Sequence, residues 1–146
     1  MKISSPEFKQ NEFIPKKFTC LGKNINPTLF FDDIPDDAKS LVLIMEDPDA
    51  VGALFVHWIA YDIAIIKKIE ENSKVGIEGL NSLKKIGYIG PCPPEGTGKH
   101  RYFFKIFALD VKLKIDGKVD KVILEKAMDK HIIDSAELIG IFSKDQ

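Results

Sequence analysis

Two short segments of the chain carry residue types that are suited to chemistry. The first, Asp47-Pro48-Asp49-Ala50, follows an apolar run and has one carboxylate on each side of a proline. The second, 90–102 (GPCPPEGTGKHRY), is a Pro/Gly-rich loop that leads into a histidine, the sole arginine and a tyrosine. Loops of this composition fix the backbone and display polar side chains. We therefore expect a small polar pocket at the edge of a β-sheet.

Strand periodicity predicts which of these side chains point the same way. Side chains alternate between the two faces of a strand, so residues two apart share a face. Asp47 and Asp49 would share a face at the end of one strand. His100 and Tyr102 would do so at the start of another, and His57 lies near the start of a third. If the three strands are neighbours, their polar ends meet in one place.

Such a place would accept an anion. A histidine beside a carboxylate tends to keep its proton, because the opposite charge favours the cationic form. A protonated His57 or His100 can donate to a phosphate or carboxylate oxygen, and so can the hydroxyl of Tyr102. Backbone amides of the Gly-rich loop add donors. The predicted site is an anion-binding pocket that responds to pH.

Structural roles for the same residues remain open. The Asp-Pro-Asp sequence is good turn chemistry, so Asp47 and Asp49 can be turn formers. Each histidine can be a hydrogen-bonded structural residue. We expect Arg101 to be a buried arginine paired with a carboxylate, with Asp49 as the partner. Cys92 can be a reactive thiol, although only His100, at unknown distance, could activate it.

The layout between prolines and glycines is typical of an all-β sandwich with many short strands. One helix is predicted after the turn at Asp116-Gly117, from the helical spacing of apolar residues over 119–130, with Asp120 as its N-cap. A shorter helical or turn segment is expected over 135–139. Strands are predicted at 29–31, 40–46, 55–63 and 101–110.

Composition bounds the class of protein. A chain of 146 residues with net charge −1 suits a single domain over 1–146 and carries no basic block, so nucleic acid is not an expected partner. The longest apolar runs are far shorter than the roughly 20 residues of a membrane span. With no apolar signal-like run near residue 1, we expect a cytoplasmic protein. Cys20 and Cys92 form no C-x-x-C pair, and free buried thiols are the expected state.

The ordered motifs resemble the phosphatidylethanolamine-binding protein family, most of all its short bacterial and archaeal branch, often labelled Raf-kinase-inhibitor-like. The similarity runs through Asp-Pro-Asp-Ala at 47–50, His57-Trp58, Gly-Pro-Cys-Pro-Pro at 90–94 and His-Arg-Tyr at 100–102. It also includes segments 14–27 and 131–140. The family often has a proline after Asp-Pro-Asp-Ala, where this chain has Val51, so a cis peptide bond at that position is not assured.

The resemblance implies a fold and a set of site residues. The fold would be mainly β, a Greek-key sandwich of two antiparallel sheets with one or two peripheral helices. When the family's cavity residues are transferred to this sequence by position, Phe55 would form an aromatic wall and Cys92 would lie in the loop at the rim. The complete set of implied site residues is Asp47, Asp49, Phe55, His57, Cys92, Pro94, His100 and Tyr102.

Three functions follow as hypotheses. The first is a binding module for a small anion or phosphorylated headgroup, which regulates a protein partner. The second is an inhibitor of a protease or kinase. The third is a hydrolase that uses a metal or general acid/base catalysis through Asp47, His57 and His100. We favour the binding module, with no catalytic residue, no metal and no cofactor. A homodimer is expected only because prokaryotic relatives are often dimers.

Overall fold

The fold is mainly β, and the computed structural model describes residues 1–145, which leaves Gln146 outside the described residues. One α-helix, α1, spans Lys121–Met128, and a 3-10 turn spans Lys16–Phe18. The strands are β1 Lys2–Ser4, β2 Leu29–Asp32, β3 Ser40–Asp47, β4 Phe55–Ile63, β5 Lys68–Ile69, β6 Ile77–Glu78, β7 His100–Leu109 and β8 Ile132–Phe142.

The strands form two antiparallel sheets over the described residues. The smaller sheet has the order β1-β2-β5, and the larger has the order β6-β4-β3-β7-β8. Each pair of neighbouring strands is antiparallel. The predicted mainly-β architecture with two antiparallel sheets and a peripheral helix is therefore confirmed.

Strand β3 lies at the centre of the larger sheet and is buried along its whole length. Its apolar residues divide between two cores because they alternate in direction. Leu41, Leu43 and Met45 belong to the core between the two sheets. Val42 and Ile44 belong to a second core with residues of α1. Full burial of an aliphatic side chain contributes about 1.5–3 kcal/mol, so both faces of β3 stabilise the sheet.

Helix α1 is shorter than the spacing over 119–130 predicts. Its N-cap is Asp120, as predicted: Oδ1 of Asp120 accepts a hydrogen bond of 2.9 Å from the backbone N–H of Ile123. Leu124 and Met128 form its buried face. Among the helices of residues 1–145, none has the length and apolarity that crossing a membrane would need.

The prediction of a helical or turn segment at 135–139 is wrong. These residues are the middle of β8 and pair with β7, where Ser135 lies opposite Phe107 and Ile139 opposite Phe103. The local sequence holds Ala136, Glu137 and Leu138, all good helix formers, but the hydrogen bonds offered by the neighbouring strand outweigh that preference.

The prediction of free thiols is also wrong. Cys20 and Cys92 form a disulfide that joins positions 72 residues apart, with a Cα–Cα distance of 5.4 Å. The fold brings the two backbones together, because the N–H of Cys20 donates to the carbonyl of Pro91 over 3.1 Å. This contact between distant segments has no signature in the spacing of the cysteines.

Candidate functional site

The ends of three neighbouring strands, β4, β3 and β7, lie together at one end of the larger sheet. In the antiparallel pairing of β3 with β4, the last residue of β3, Asp47, lies opposite the first residue of β4, Phe55. The start of β7 reaches the same edge, because β7 runs antiparallel to β3 on its other side and Glu46 pairs with Phe103. Antiparallel neighbours place the end of one strand beside the start of the next, and this brings the polar residues together.

The aromatic and imidazole rings of β4 and β7 pack on one another at this edge. The His57 ring is 4.7 Å from the ring of Phe55 and 5.2 Å from that of Tyr102, centroid to centroid. The His100 ring lies 6.5 Å from Tyr102 in a stacked arrangement. Such contacts fix the ring orientations. The predicted convergence of His57, His100 and Tyr102 is present in the structure.

His100 is held by a carboxylate on one side and a hydroxyl on the other. Its Nδ1 lies 2.8 Å from Oδ2 of Asp47, and its Nε2 lies 3.0 Å from Oγ1 of Thr97. The same Thr97 hydroxyl donates its only proton to the carbonyl of Pro94 over 2.6 Å. The bond to Thr97 therefore needs a proton on Nε2. On the other side of the ring, Nδ1 and the Asp47 carboxylate share a hydrogen bond, so both ring nitrogens of His100 have a partner.

Asp47 accepts a second hydrogen bond, which fixes its carboxylate. The backbone N–H of Asp49 donates to Oδ1 of Asp47 over 2.7 Å, so each oxygen of the carboxylate has one partner. Asp47 and His100 are both almost fully buried. A buried carboxylate needs this degree of hydrogen bonding to offset its desolvation.

A backbone carbonyl fixes the tautomer of His57. The carbonyl of Ile89 accepts a 2.7 Å bond from its Nδ1, so the ring proton is on that nitrogen. Burial lowers the pKa of His57 below its ordinary value of 6.5, and the Ile89 bond and the charge of Asp47 oppose that shift without reversing it. Among the described residues Nε2 is thus the ring nitrogen left for a ligand, and it carries a lone pair.

Tyr102 forms the floor of the site. Its side chain is fully buried between the two histidines. Burial raises the pKa of Tyr102, and the charges of Asp47 and Asp49 raise it further. The hydroxyl therefore keeps its proton at neutral pH and can serve as a hydrogen-bond donor.

The loop over 89–94 forms the wall that faces the strand ends. The N–H of Gly90 donates to Oδ1 of Asn24 over 2.7 Å, and Cys92 is tied to Cys20 by the disulfide. A side chain at position 90 would collide with the carbonyl of Phe18, so only glycine allows this close approach. The carbonyl of Pro91 also accepts from Cys20, and the N–H of Ile89 donates to the carbonyl of His57, so the loop is attached to its surroundings at several points.

A cavity of about 240 Å³ lies between the strand ends and this loop. Seven of the eight predicted site residues line it, all but Asp49. The remaining lining is mostly apolar and comprises Ala50, Val51, Ile89, Gly90 and Pro93. Ala50, Gly90 and Pro93 belong to the two segments that the sequence points to, and Val51 and Ile89 directly adjoin those segments.

Asp49 is in a different place from the one that strand parity predicts. Strand β3 ends at Asp47, and the chain then turns so that Asp49 reaches Arg101 on the outer side of β7. Its Oδ2 and Oδ1 accept from Nε and Nη2 of Arg101, each over 2.9 Å. These bonds lower the pKa of Asp49. The predicted partner of Arg101 is correct, but its predicted burial is wrong, since 53% of its side chain is exposed.

The sequence alone does not decide whether the chain has a cis peptide bond before Val51 or a group of side chains that could bind a metal ion. The described residues contain no cis peptide bond, and the peptide before Val51 is trans like the others. Over residues 1–145, no group of three His, Cys, Asp or Glu side chains lies close enough to hold a metal ion.

The fold agrees with a protein family that the sequence matches. A family model described as phosphatidylethanolamine-binding protein matches residues 4–143. The chain belongs to this family, which confirms the resemblance seen in the motifs.

Relatives from distant organisms cover almost the whole chain. A UPF0098 protein of Chlamydia trachomatis is 44% identical over 99% of this chain and 100% of its own length. A UPF0098 protein of Pyrococcus horikoshii is also 44% identical, over 99% of this chain and 77% of its own length.

Solved structures of other proteins share the fold, with sequence identities that range from 44% to 19%. The crystal structure of a phosphatidylethanolamine-binding protein homologue from Chlamydia trachomatis has a TM-score of 0.94 at 44% identity, covering 99% of this chain and 97% of that one. The structure of YbcL from E. coli has a TM-score of 0.90 at 25% identity, with 97% of each chain covered. A carboxypeptidase Y inhibitor, solved with its proteinase, has a TM-score of 0.62 at 19% identity over 96% of this chain and 81% of its own, and this shows the fold alone.

Proposed function

We propose that the protein is a binding module that holds a small anion, of the phosphate or phosphorylated-headgroup type, in the cavity at the strand ends. The observation that carries this proposal is the state of His57. Its Nδ1 proton goes to the Ile89 carbonyl, which leaves Nε2 with a lone pair on a ring that lines the cavity. This nitrogen can accept the proton of a monoprotonated phosphate, or take up a proton when an anion arrives.

The size and lining of the cavity fit such a ligand. About 240 Å³ is smaller than the roughly 300–1,000 Å³ that drug-sized ligands occupy, and it suits a phosphate or carboxylate group with a few further atoms. Val51, Phe55 and Pro94 contribute apolar surface around the polar floor. Apolar walls exclude water, and this strengthens each polar contact with the ligand.

The charge of the floor supports binding near neutral pH. Both oxygens of the Asp47 carboxylate have hydrogen-bond partners, His100 and the N–H of Asp49, and these partners reduce its repulsion of an anion. A phosphate monoester carries about −1.5 to −2 charges at pH 7. The Tyr102 hydroxyl, which stays protonated, is available as a donor.

The hydrolase hypothesis has less support. Asp47, His100 and Thr97 stand in the order carboxylate, imidazole, hydroxyl, with bonds of 2.8 and 3.0 Å, and this order is that of a nucleophilic triad. A triad needs a neutral histidine that takes the proton of the hydroxyl. Here the Thr97 proton goes to the Pro94 carbonyl and the ring donates to Thr97, so the proton flow is the reverse.

Titration calorimetry with phosphoethanolamine and with inorganic phosphate tests the proposal. The variant His57→Asn keeps an N–H group near Nδ1 for the Ile89 carbonyl and removes Nε2. We expect it to weaken binding by about 1–3 kcal/mol, the effect of losing one partner of a charged hydrogen bond. His131→Asn is the matched control, because His131 is bonded to Asp110 and does not line the cavity.

Two results would overturn the proposal. One is wild-type protein that binds neither probe. The other is a His57→Asn variant that binds them as tightly as the wild type and the His131→Asn control do.

A further inference from the structure

A second group of anion-binding donors lies beside the cavity, in the loop Gly96-Thr97-Gly98. The backbone N–H of Gly96 is 2.9 Å from Oδ1 and 3.0 Å from Oδ2 of Asp145. The N–H of Gly98 is 3.1 Å from the same Oδ2. Two backbone donors therefore converge on one carboxylate that comes from a part of the chain 47 residues away.

The backbone conformation turns these two donors toward one point. Gly96 has φ of +82° and Gly98 has φ of +74°, in the left-handed region that favours glycine. Alternation of left-handed residues with ordinary ones points successive N–H groups to the same side and forms a concave nest for an anion. We call these donors the Gly96–Gly98 nest.

The carboxylate in the Gly96–Gly98 nest belongs to an exposed residue that lies beyond β8. Asp145 is exposed, and its own backbone N–H is attached to the buried Ser143 through a 3.0 Å bond to Oγ. The bonds from Gly96 and Gly98 lower the pKa of Asp145, so the nest favours the charged form of a carboxyl group. A carboxylate of the same chain thus occupies the nest in the place that an anionic ligand would take.

The nest and the cavity share one loop. Thr97, between the two glycines, contacts Nε2 of His100, and its hydroxyl donates to the carbonyl of Pro94. Both His100 and Pro94 line the cavity. An anion in the nest would therefore lie next to the cavity, on the outer side of the same loop.

We propose that the Gly96–Gly98 nest is a second anion subsite, which takes a phosphate or carboxylate group, and that Asp145 is an internal competitor that keeps it closed. The subsite stands on the nest alone and goes beyond the function proposed for the cavity. An outside anion enters when it displaces the Asp145 side chain, which can move into solvent without breaking any strand pairing.

Two-dimensional ¹H–¹⁵N NMR with inorganic phosphate as the probe, at constant ionic strength, tests this subsite. The reporters are the amides of Gly96 and Gly98, with the amide of Gly90 as reporter of the cavity. Asp145→Asn keeps the size of the side chain and removes its charge. In this variant we expect the NMR signals of the Gly96 and Gly98 amides to shift on addition of phosphate. The shift should saturate at a phosphate concentration on the order of tenfold lower than in the wild type, because an intramolecular competitor is lost.

Glu95→Gln is the matched control. It removes one negative charge from an exposed residue next to Gly96 and leaves the nest carboxylate in place. We expect it to behave as the wild type. Nest amides that fail to saturate in Asp145→Asn would overturn the proposal, and so would equal gains in Asp145→Asn and Glu95→Gln.

The double variant His57→Asn/Asp145→Asn separates this proposal from the function proposed for the cavity. The nest amides should respond to phosphate in the double variant as they do in Asp145→Asn alone. If the response at the nest disappears together with that at Gly90, the nest is not an independent subsite, and the proposal fails.

Discussion

The imidazole of His100 and the carboxylate of Asp47 meet 2.8 Å apart with only 3% and 4% of their side chains exposed. Two residues after Asp47 and one residue after His100, Asp49 and Arg101 form a second pair, which lies on the outer surface of β7. The two pairs join the same two segments of chain. They differ in burial, and burial decides how much each stabilises the fold.

This difference predicts unequal effects of removing the acid. Asp47→Ala should lower the free energy of unfolding by about 1–3 kcal/mol, because it leaves the buried ring of His100 and the N–H of Asp49 without their hydrogen-bond partner. Asp49→Ala is the matched control, and its effect should be much smaller, since water screens the exposed Arg101. Urea unfolding of both variants measures the two values. Equal losses would show that the His100–Asp47 pair is not the buried hydrogen-bonded pair described here.

His57 makes the stability of the fold depend on pH. Its pKa is lowered mainly by burial, whereas the unfolded chain has the ordinary value of 6.5. Below pH 6.5, His57 is therefore protonated in the unfolded state but stays neutral in the folded state until the pH falls to its lower folded-state pKa. Stability should be full above that pH and should fall as the pH drops toward the folded-state pKa, by at most about 1.4 kcal/mol per pH unit.

Unfolding measured from pH 7.5 to pH 5 in wild type and in His57→Asn checks this dependence. The variant should show a shallower fall, because it lacks the group that titrates. Parallel curves for the two proteins would contradict the assignment of the shift to His57.

The disulfide between Cys20 and Cys92 should contribute to stability. It closes a long loop between segments 72 residues apart, and removal of a native bridge typically costs about 2–5 kcal/mol. Reduction with a dithiol should therefore lower the denaturation midpoint of the wild type. The double variant Cys20→Ser/Cys92→Ser should have the lower midpoint already and should not respond to the reductant. A wild type that is insensitive to reduction would argue against the bridge.

Strand periodicity was sufficient to predict the centre of the site. His100 and Tyr102 share a face of β7, and His57 lies at the matching end of β4. The prediction held for His100 and Tyr102 because they lie in a regularly paired stretch of β7, whereas His57 lies at a register shift between β4 and β3 and lines the cavity from there. It failed for Asp49, which lies beyond the end of β3, where Pro48 ends the alternation and the chain turns outward.

Two contacts between distant segments could not be predicted. The pairing of Cys20 with Cys92 and the contact of Asp145 with the Gly96–Gly98 nest each join segments that are distant in the sequence. The edge strand β8 was missed over 135–139 because its residues have helical preferences that the pairing with β7 overrides.

A crystal structure of the protein grown at a saturating concentration of phosphate tests the central claim most directly. We predict density for one phosphate in the cavity, with an oxygen atom within about 3.2 Å of Nε2 of His57. A second contact should come from the Tyr102 hydroxyl at the floor. A cavity that holds only water under these conditions, with Nε2 of His57 bonded to no anion, would contradict the account.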